Sequence, residues 1–413
     1  MNKQAPDILS DQAQSHLNRT ILKLAWPAIL EQFLICMASL ADTAMVGSIG
    51  ASATAAVAVN ISSIWLINGF ITSLSVGFSY LISHAVGSGD DDRSRRITAQ
   101  TLSVVLSAIF RSAGNTRIPL AANLTSNAAN IVGNFFLIYP ARSLTIGSHT
   151  ISIWGAGLGV AGAACSTMLS QMLLLVILLV FLTTAQTPIR LNPFHTDYHV
   201  ERQVLGQLWH ISIPVLLERL TLTSGQVALT AMISGLGTIS LAAHYLTNQT
   251  EGLLYLPAYG FAYTATALVG QALGAGRRDL ADRFAFRICW IGSVVIIAAC
   301  VPVAIFSKPI ISLFSREPEV IALGSKTLFI AAATEIFFSF TVIAGGICRG
   351  SGDVRFSLLV SIIGMWGLRI GLVWLAIHPL ALGVTGVWLA IAADCFIRMV
   401  LCIWRIKSRK WRK

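Results

Sequence analysis

Apolar residues run along this chain in long stretches, broken by short turns rich in Gly, Ser, Asp and Arg. A membrane-spanning helix needs roughly 20 mostly apolar residues, because the hydrocarbon core is about 30 Å thick and an α-helix rises about 1.5 Å per residue. The pattern predicts spans at about 21–47, 53–86, 121–140, 157–184, 208–235, 240–273, 284–307, 322–348, 355–378 and 382–404. The two long runs, 53–86 and 240–273, are expected to tilt or protrude. Segment 97–110 is too short to span, and 183–202 is the only long polar interruption. The expected fold class is all-α, a polytopic membrane protein with ten full spans and one short segment.

Charge placement sets the expected orientation. The N-terminus carries Lys3, Arg19 and Lys23, and arginines cluster at 93–96, 111–117, 190–202, 277–287, 349–355 and 405–412. With the N-terminus in the cytosol, all of these fall on the cytosolic side. The opposite loops carry few cations, namely Arg142, Lys308 and Arg316. Both termini are therefore expected in the cytosol and the chain in the cell's inner, cytoplasmic membrane. The polar first twenty residues hold no short apolar core with a cleavage site, so no cleavable signal is expected.

Composition narrows the class. Of 413 residues, 55% are hydrophobic and 11% charged, and mean hydropathy is +0.73. A soluble domain carries about a quarter charged residues, which excludes a globular cytosolic enzyme, a nucleic-acid-binding module and a disordered scaffold. The net charge of +11 reflects cations at the ends of apolar runs, as membrane orientation requires. The seven cysteines lie in or beside apolar runs without a CxxC pair, so they read as small buried hydrophobes and not as a disulfide framework or zinc site.

The chain repeats itself. PAILEQFLICMASLADTAMVGSIG (27–50) aligns with PVLLERLTLTSGQVALTAMISGLG (214–237) at an offset of 187, pairing Pro27 with Pro214 and Glu31 with Glu218. The offset holds where HAVGSGD (84–90) meets QALGAGR (271–277), but IFRSAGNTR (109–117) meets ICRGSGDVR (347–355) at 238. The two offsets differ by 51 residues, so the first repeat lacks the counterpart of most of 284–307 and 322–348. The expected organisation is an N-lobe over 1–184 with a join near 104–108, a cytosolic linker over 185–206, and a complete C-lobe over 207–413. Six spans per half, twelve in all, make the repeats parallel about an axis along the membrane normal. The remnant 97–110 is about 21 Å of helix. It has cytosolic signals on both sides and is expected to embed from the cytosolic face without crossing.

A first span ending LADTAMVGSIG, loops GSGD and GQALGAGRRD, turns RSAGNTRIP and RGSGD, and two repeats of six resemble the multidrug and toxic compound extrusion (MATE) family across the chain apart from the gap. The resemblance implies two six-helix lobes around a central cavity. It also implies export of cationic or amphipathic organic compounds in exchange for protons or sodium ions, with no other cofactor. One branch of the family uses carboxylates in the second half, and its positions here are Leu222 and Phe338. The branch resembling DNA-damage-inducible-protein (DinF-like) transporters uses an aspartate in the ADT motif, which Asp42 matches. It also uses an Asn-x-x-x-Asp pair, here Asn130 and Asn134, and a threonine in GVAGAACSTM, here Thr167. Asparagine at 134 leaves one carboxylate in this site and leans the expected coupling towards protons.

Six acids fall within predicted spans: Glu31, Asp42, Glu218, Glu251, Glu335 and Asp394. A buried carboxylate in a membrane is costly and marks a pathway, a proton relay or a structural hydrogen bond. Asp42 has Leu229 as its repeat mate, and this asymmetry favours function. Glu31 and Glu218 are repeat mates four residues after a proline, which favours architecture. They could serve carbonyls freed by the proline, with Arg219 or Arg369 pairing to Glu218. Glu251 and Glu335 remain open. Asp394 is expected to pair with Arg398 one turn on.

Tyr255, Tyr259, Tyr263 and Phe338 are candidates for an aromatic cavity wall that holds flat cations, set against plain packing. Pro257 and Gly260 are expected to break the span 240–273. No Ser-His-Asp, HExxH or paired-carboxylate pattern has the context catalysis needs, so neither an enzyme nor a metal site is expected.

The leading expectation is a secondary antiporter with Asp42 as the cation-coupling group, working as a monomer in the lipid bilayer without nucleic acid. Two alternatives stay open: a lipid-linked sugar flippase of the same superfamily, and a transport-inactive protein that has lost part of its N-lobe. The flippase would want several cations in its cavity, for which the sequence offers Arg219 and Arg369.

Overall fold

The computed structural model describes residues 17–48, 51–90, 93–94, 97–98, 106–146, 149–184, 189–190 and 201–412, with backbone alone for 43, 47, 51–67 and 144–151. The first half holds α1 (Leu17–Gly47), α2 (Ala51–Gly87), α3 (Leu106–Ser112), α4 (Arg117–Leu137), a hairpin of β1 (Pro140–Ile146) and β2 (His149–Ala156), and α5 (Gly159–Thr184). The second half holds α6 (Arg202–Ser234), α7 (Thr238–Leu254), α8 (Leu256–Gly274), α9 (Arg278–Ile305), α10 (Ser307–Phe314) and α11 (Pro318–Ser351). It continues with α12 (Val354–Ile362), a π-helical stretch (Ile363–Arg369), α13 (Ile370–Ile377) and α14 (Gly383–Ser408).

Helices stand at all ten places where the apolar runs predict spans. In lipid a backbone must satisfy its own hydrogen bonds, and a helix does so within one segment. Seven helical segments are long and apolar enough to cross a membrane, eight if α7 and α8 are one span bent by 41°. The remaining two, α4 and α6, have the length but dilute their apolarity with buried polar groups such as Asn123, Asn130 and Asn134 on α4 and Glu218 on α6. Residues 99–105, half of 97–110, lie outside the described residues, as do 185–188 and 191–200 of the linker. The described remnant, α3, is only two turns long and buries Leu106, Ile109 and Phe110 against Phe78, Leu81 and Ile82 of α2.

Four features differ from the sequence expectation. The all-helical reading misses the antiparallel β1–β2 hairpin, in which Leu144 pairs with Ile151 and Ile146 with His149. Its apolar-polar alternation, ARSLTI then HTISIW, is a strand period in a stretch read as a loop. Arg142 there stacks its guanidinium on Phe135 at 4.1 Å and Tyr139 at 4.5 Å. The break in 240–273 falls at Tyr255, placing Pro257 in the first turn of α8, where its missing N–H costs nothing. Gly260 does not break α8; it lets Ile29 of α1 approach, since a Cβ there would meet the Ile29 backbone at 2.8 Å. Finally, the π-helical stretch interrupts the span 355–378 at Gly364, whose missing side chain makes room for Arg398 and Asp394.

The two halves share apolar cores at the arginine-rich end. Ile21, Leu24, Ala25 and Ile29 of α1 lie in one cluster with Ala258, Phe261, Ala265 and Leu268 of α8. Phe78, Leu81 and Ile82 of α2 lie in another with Val204 and Leu208 of α6. At the opposite end the clusters of described residues stay within one half: Val46 and Ile138 with Met45 and Tyr139 in the first, Leu229, Ile233, Val384 and Trp388 in the second.

Candidate functional site

Asp42 lies in the last third of α1, and α4 brings Asn134 against it. Asn134 donates its side-chain amide to Asp42 Oδ1. Asn134 is wholly buried, while Asp42 is half-buried. One helical turn back along α4, Asn130 donates Nδ2 to Thr167 Oγ1 of α5 at 3.3 Å and to Ser166 Oγ at 3.5 Å. Ser166 Oγ in turn donates to the Asn130 carbonyl at 2.8 Å. The i, i+4 spacing puts both asparagines on one helix face, which is why a linear motif becomes a cluster.

The cluster therefore unites Asp42, Asn130, Asn134 and Thr167. Thr167 itself is exposed, and its neighbour Ser166 is the buried member that the motif reading missed. The amide oxygens Asn130 Oδ1 and Asn134 Oδ1 are both buried and receive no donor from the protein. Asn134 turns its amide nitrogen, not its oxygen, to the Asp42 carboxylate, so these two oxygens are acceptors still open in the cluster. The described residues hold no group of three or more His, Cys, Asp or Glu with metal-site spacing.

Three of the other acids, Glu31, Glu218 and Asp394, differ in one respect, a counter-ion. Arg111 Nη1 lies 2.8 Å from Glu31 Oε1 and 3.0 Å from Oε2, and Asn123 Nδ2 donates to Oε1 at 2.9 Å. Arg349 stands 3.7 Å from Glu218. Asp394 is held by Arg398 at 2.7 Å, one turn on as the spacing predicts, and by Arg369 at 2.8 Å. Of the partners suggested for Glu218, Arg369 is spoken for by Asp394, while Arg219 stays within electrostatic reach of Glu218 and the ion pair itself is made by Arg349. Proline-freed carbonyls have no visible part in holding Glu31 or Glu218. Arg111 and Arg349 were missed, although they are repeat mates at the offset of 238, as Glu31 and Glu218 are at 187.

Glu335 is buried and accepts a hydrogen bond from Ser339, with its second oxygen undonated. It lies within electrostatic range of Glu251 on α7, which in turn senses Arg369. These two acids belong to the second half and are not brought to Asp42. Tyr255 joins Tyr259 at 5.5 Å and Phe338 at 6.0 Å, both edge-on. Tyr259 and Phe338 face a cleft of ≈ 630 Å³ together with Glu218, Arg219, Arg349 and Arg398. Tyr263 is drawn elsewhere, 4.7 Å beneath the Arg111 guanidinium. Phe337 packs on Phe396 at 5.4 Å, so adjacent aromatics of α11 point apart.

A family model for MatE matches residues 27–106 and 214–375, more than half of the chain. An uncharacterized transporter, YisQ, of Bacillus subtilis is 27% identical over 76% of this chain and 66% of its own length. A probable multidrug resistance protein, NorM, of Thermotoga maritima is 22% identical over 96% of this chain and 94% of its own, along an alignment of 450 positions. Among solved structures, an outward-facing multidrug resistance MATE family transporter superposes with a TM-score of 0.84, at 18% identity over 95% of this chain and 96% of that one. The two matched segments begin at the repeat-mate prolines Pro27 and Pro214 and carry both copies of the repeat, and on that match the chain belongs to the MatE family of multidrug-efflux membrane transporters.

Proposed function

We propose that this protein is a secondary antiporter that exports cationic or amphipathic organic compounds in exchange for protons or sodium ions. Asp42 is its ion-coupling group, with Asn130, Asn134 and Thr167 beside it. One observation carries this. Glu31, Glu218 and Asp394 each have an arginine, whereas Asp42, like Glu251 and Glu335, has no ion-pair partner among the described residues, and of these three it alone sits with the motif residues Asn130, Asn134 and Thr167. A membrane carboxylate without a counter-ion is cheapest when a proton or a cation can bind it. A single carboxylate beside neutral amides gains one charge from either. Glu251 and Glu335 are possible secondary carboxylates, with Tyr255, Tyr259 and Phe338 as the substrate wall.

The flippase reading gains little support. Three arginines border the cleft, but Glu218 offsets Arg349 and Asp394 offsets Arg398. The short first repeat also belongs to this reading. A 450-position alignment with the Thermotoga relative exceeds the 413 residues available, as a relative carrying residues absent here requires. The protein sits in the cytoplasmic membrane as a monomer, with both termini cytosolic.

Reconstitution into vesicles tests the reading. An imposed pH or sodium gradient should drive ethidium against its own gradient, and collapsing the productive gradient should stop it. Equal ethidium flux with and without either gradient would overturn coupled antiport.

A further inference from the structure

The repeat continues into the contacts between halves. His84 and Gln271 are repeat mates at the offset of 187, and Ser112 and Gly350 are mates at 238. His84 Nε2, at the end of α2, meets the Gly350 carbonyl of α11 at 2.9 Å. Gln271 Nε2, near the end of α8, donates to the Ser112 carbonyl of α3 at 2.7 Å. A carbonyl carries no proton, so the His84 nitrogen is the donor, and it remains one whether the ring is neutral or charged. Each half thus reaches into the other by the same bond.

The receiving turns are also copies. Asn115 N bonds Phe110 O and Gly114 N bonds Arg111 O, just as Asp353 N bonds Cys348 O and Gly352 N bonds Arg349 O. Both turns use a glycine of positive φ, 86° at Gly114 and 79° at Gly352. Such a cap satisfies two of the four open carbonyls at a helix end and leaves others without a partner. The Ser112 and Gly350 carbonyls are among those left over, at the negative pole of their helices, and a side-chain donor from the other half fills each one.

The backbones are fitted to this contact. A Cβ on Gly87 would meet the Gln271 backbone at 2.7 Å, and a Cβ on its mate Gly274 would meet the His84 backbone at 2.7 Å. The crossing lies at the arginine-rich end, where the apolar clusters join the halves; among the described residues they do not at the other end.

We propose that His84 and Gln271 form a two-point latch that holds the arginine-rich gate shut, and that each transport cycle must release both bonds. Opening leaves two helix-end carbonyls and two donors to water, so the exchange is nearly balanced and reversible. The role in transport rests on the antiporter reading, but the latch itself does not.

Hydrogen–deuterium exchange on the full chain in nanodiscs tests it, reading 84–90, 110–116, 271–277 and 348–354 against distant helices. His84→Ala and Gln271→Ala should each speed exchange in these segments by roughly 5-fold, and the double variant by roughly 25-fold, as expected for about one ordinary hydrogen bond lost per site. His84→Gln, which copies the repeat mate, should exchange like wild type. The transposed pair His84→Gln with Gln271→His keeps both donors and should do the same, and it serves if the double alanine variant does not fold. Unchanged exchange in the double alanine variant, or His84→Gln behaving like His84→Ala, would overturn the latch. A latch that responds in a protein that moves no ethidium would instead count against the antiporter reading alone.

Discussion

The Arg111 guanidinium closes on both carboxylate oxygens of Glu31, at 2.8 and 3.0 Å. Their repeat mates Arg349 and Glu218 stand in the same relation at 3.7 Å. In each half, the first long helix is pinned to the turn that closes the fourth span of the ancestral repeat. In the first half the described helix before that turn, α3, is only two turns long.

Glu31→Gln leaves Arg111 buried without a counter-ion and is expected to cost about 3–5 kcal/mol, because breaking one side of a buried pair strands a charge. Glu218→Gln should cost less, since that pair is longer. The thermal midpoint in detergent checks both. A Glu31→Gln protein that melts like wild type but loses ion dependence would move Glu31 from architecture into coupling.

Asp42→Asn should insert normally and lose gradient-driven export by at least about tenfold, because a carboxamide cannot take up and release a charge. Export in vesicles over a pH series, with expression as control, reads this out. Wild-type, gradient-dependent export by the variant would remove Asp42 from the mechanism.

Residues on both sides of the short remnant should lie on the cytosolic face. Arg93→Cys, at an exposed position, and Asn115→Cys, in a background without Cys36 and Cys165, should react with an impermeant maleimide only after the cells are permeabilised. Reaction at either site in intact cells would make 97–110 a crossing and invert every later span.

Restoring the 51 residues that the repeat offsets mark as absent should raise stability and export. Without them the helices bearing Asp42, Asn130 and Asn134 lose two neighbours, and each polar group then open to lipid costs several kcal/mol, roughly. Equal melting temperature and equal export rate in both versions would show that the missing pair is dispensable.

The spans, the repeat and the Asp42 motif could be read along the chain, because each is a linear property. An apolar run long enough to cross lipid has no alternative to helix, and an offset between copies needs no coordinates. The hairpin was hidden because its alternation is short and sits between two spans. The aromatic candidates could not be sorted, because Tyr259 and Tyr263 are one turn apart on the same helix, yet one borders the cleft and the other lies under Arg111.

Partner choice belonged to the tertiary fold. Arg111 reaches Glu31 across 80 residues of chain, and Asn134 reaches Asp42 across 92. In lipid, burial penalises every charge alike, so residue type says that a carboxylate must be stabilised but not by what. Only the packing of α3 and α4 against α1 gives Glu31 an arginine and Asp42 an amide, and on that difference in counter-ion rests the proposal that Asp42, and not Glu31, couples to a cation.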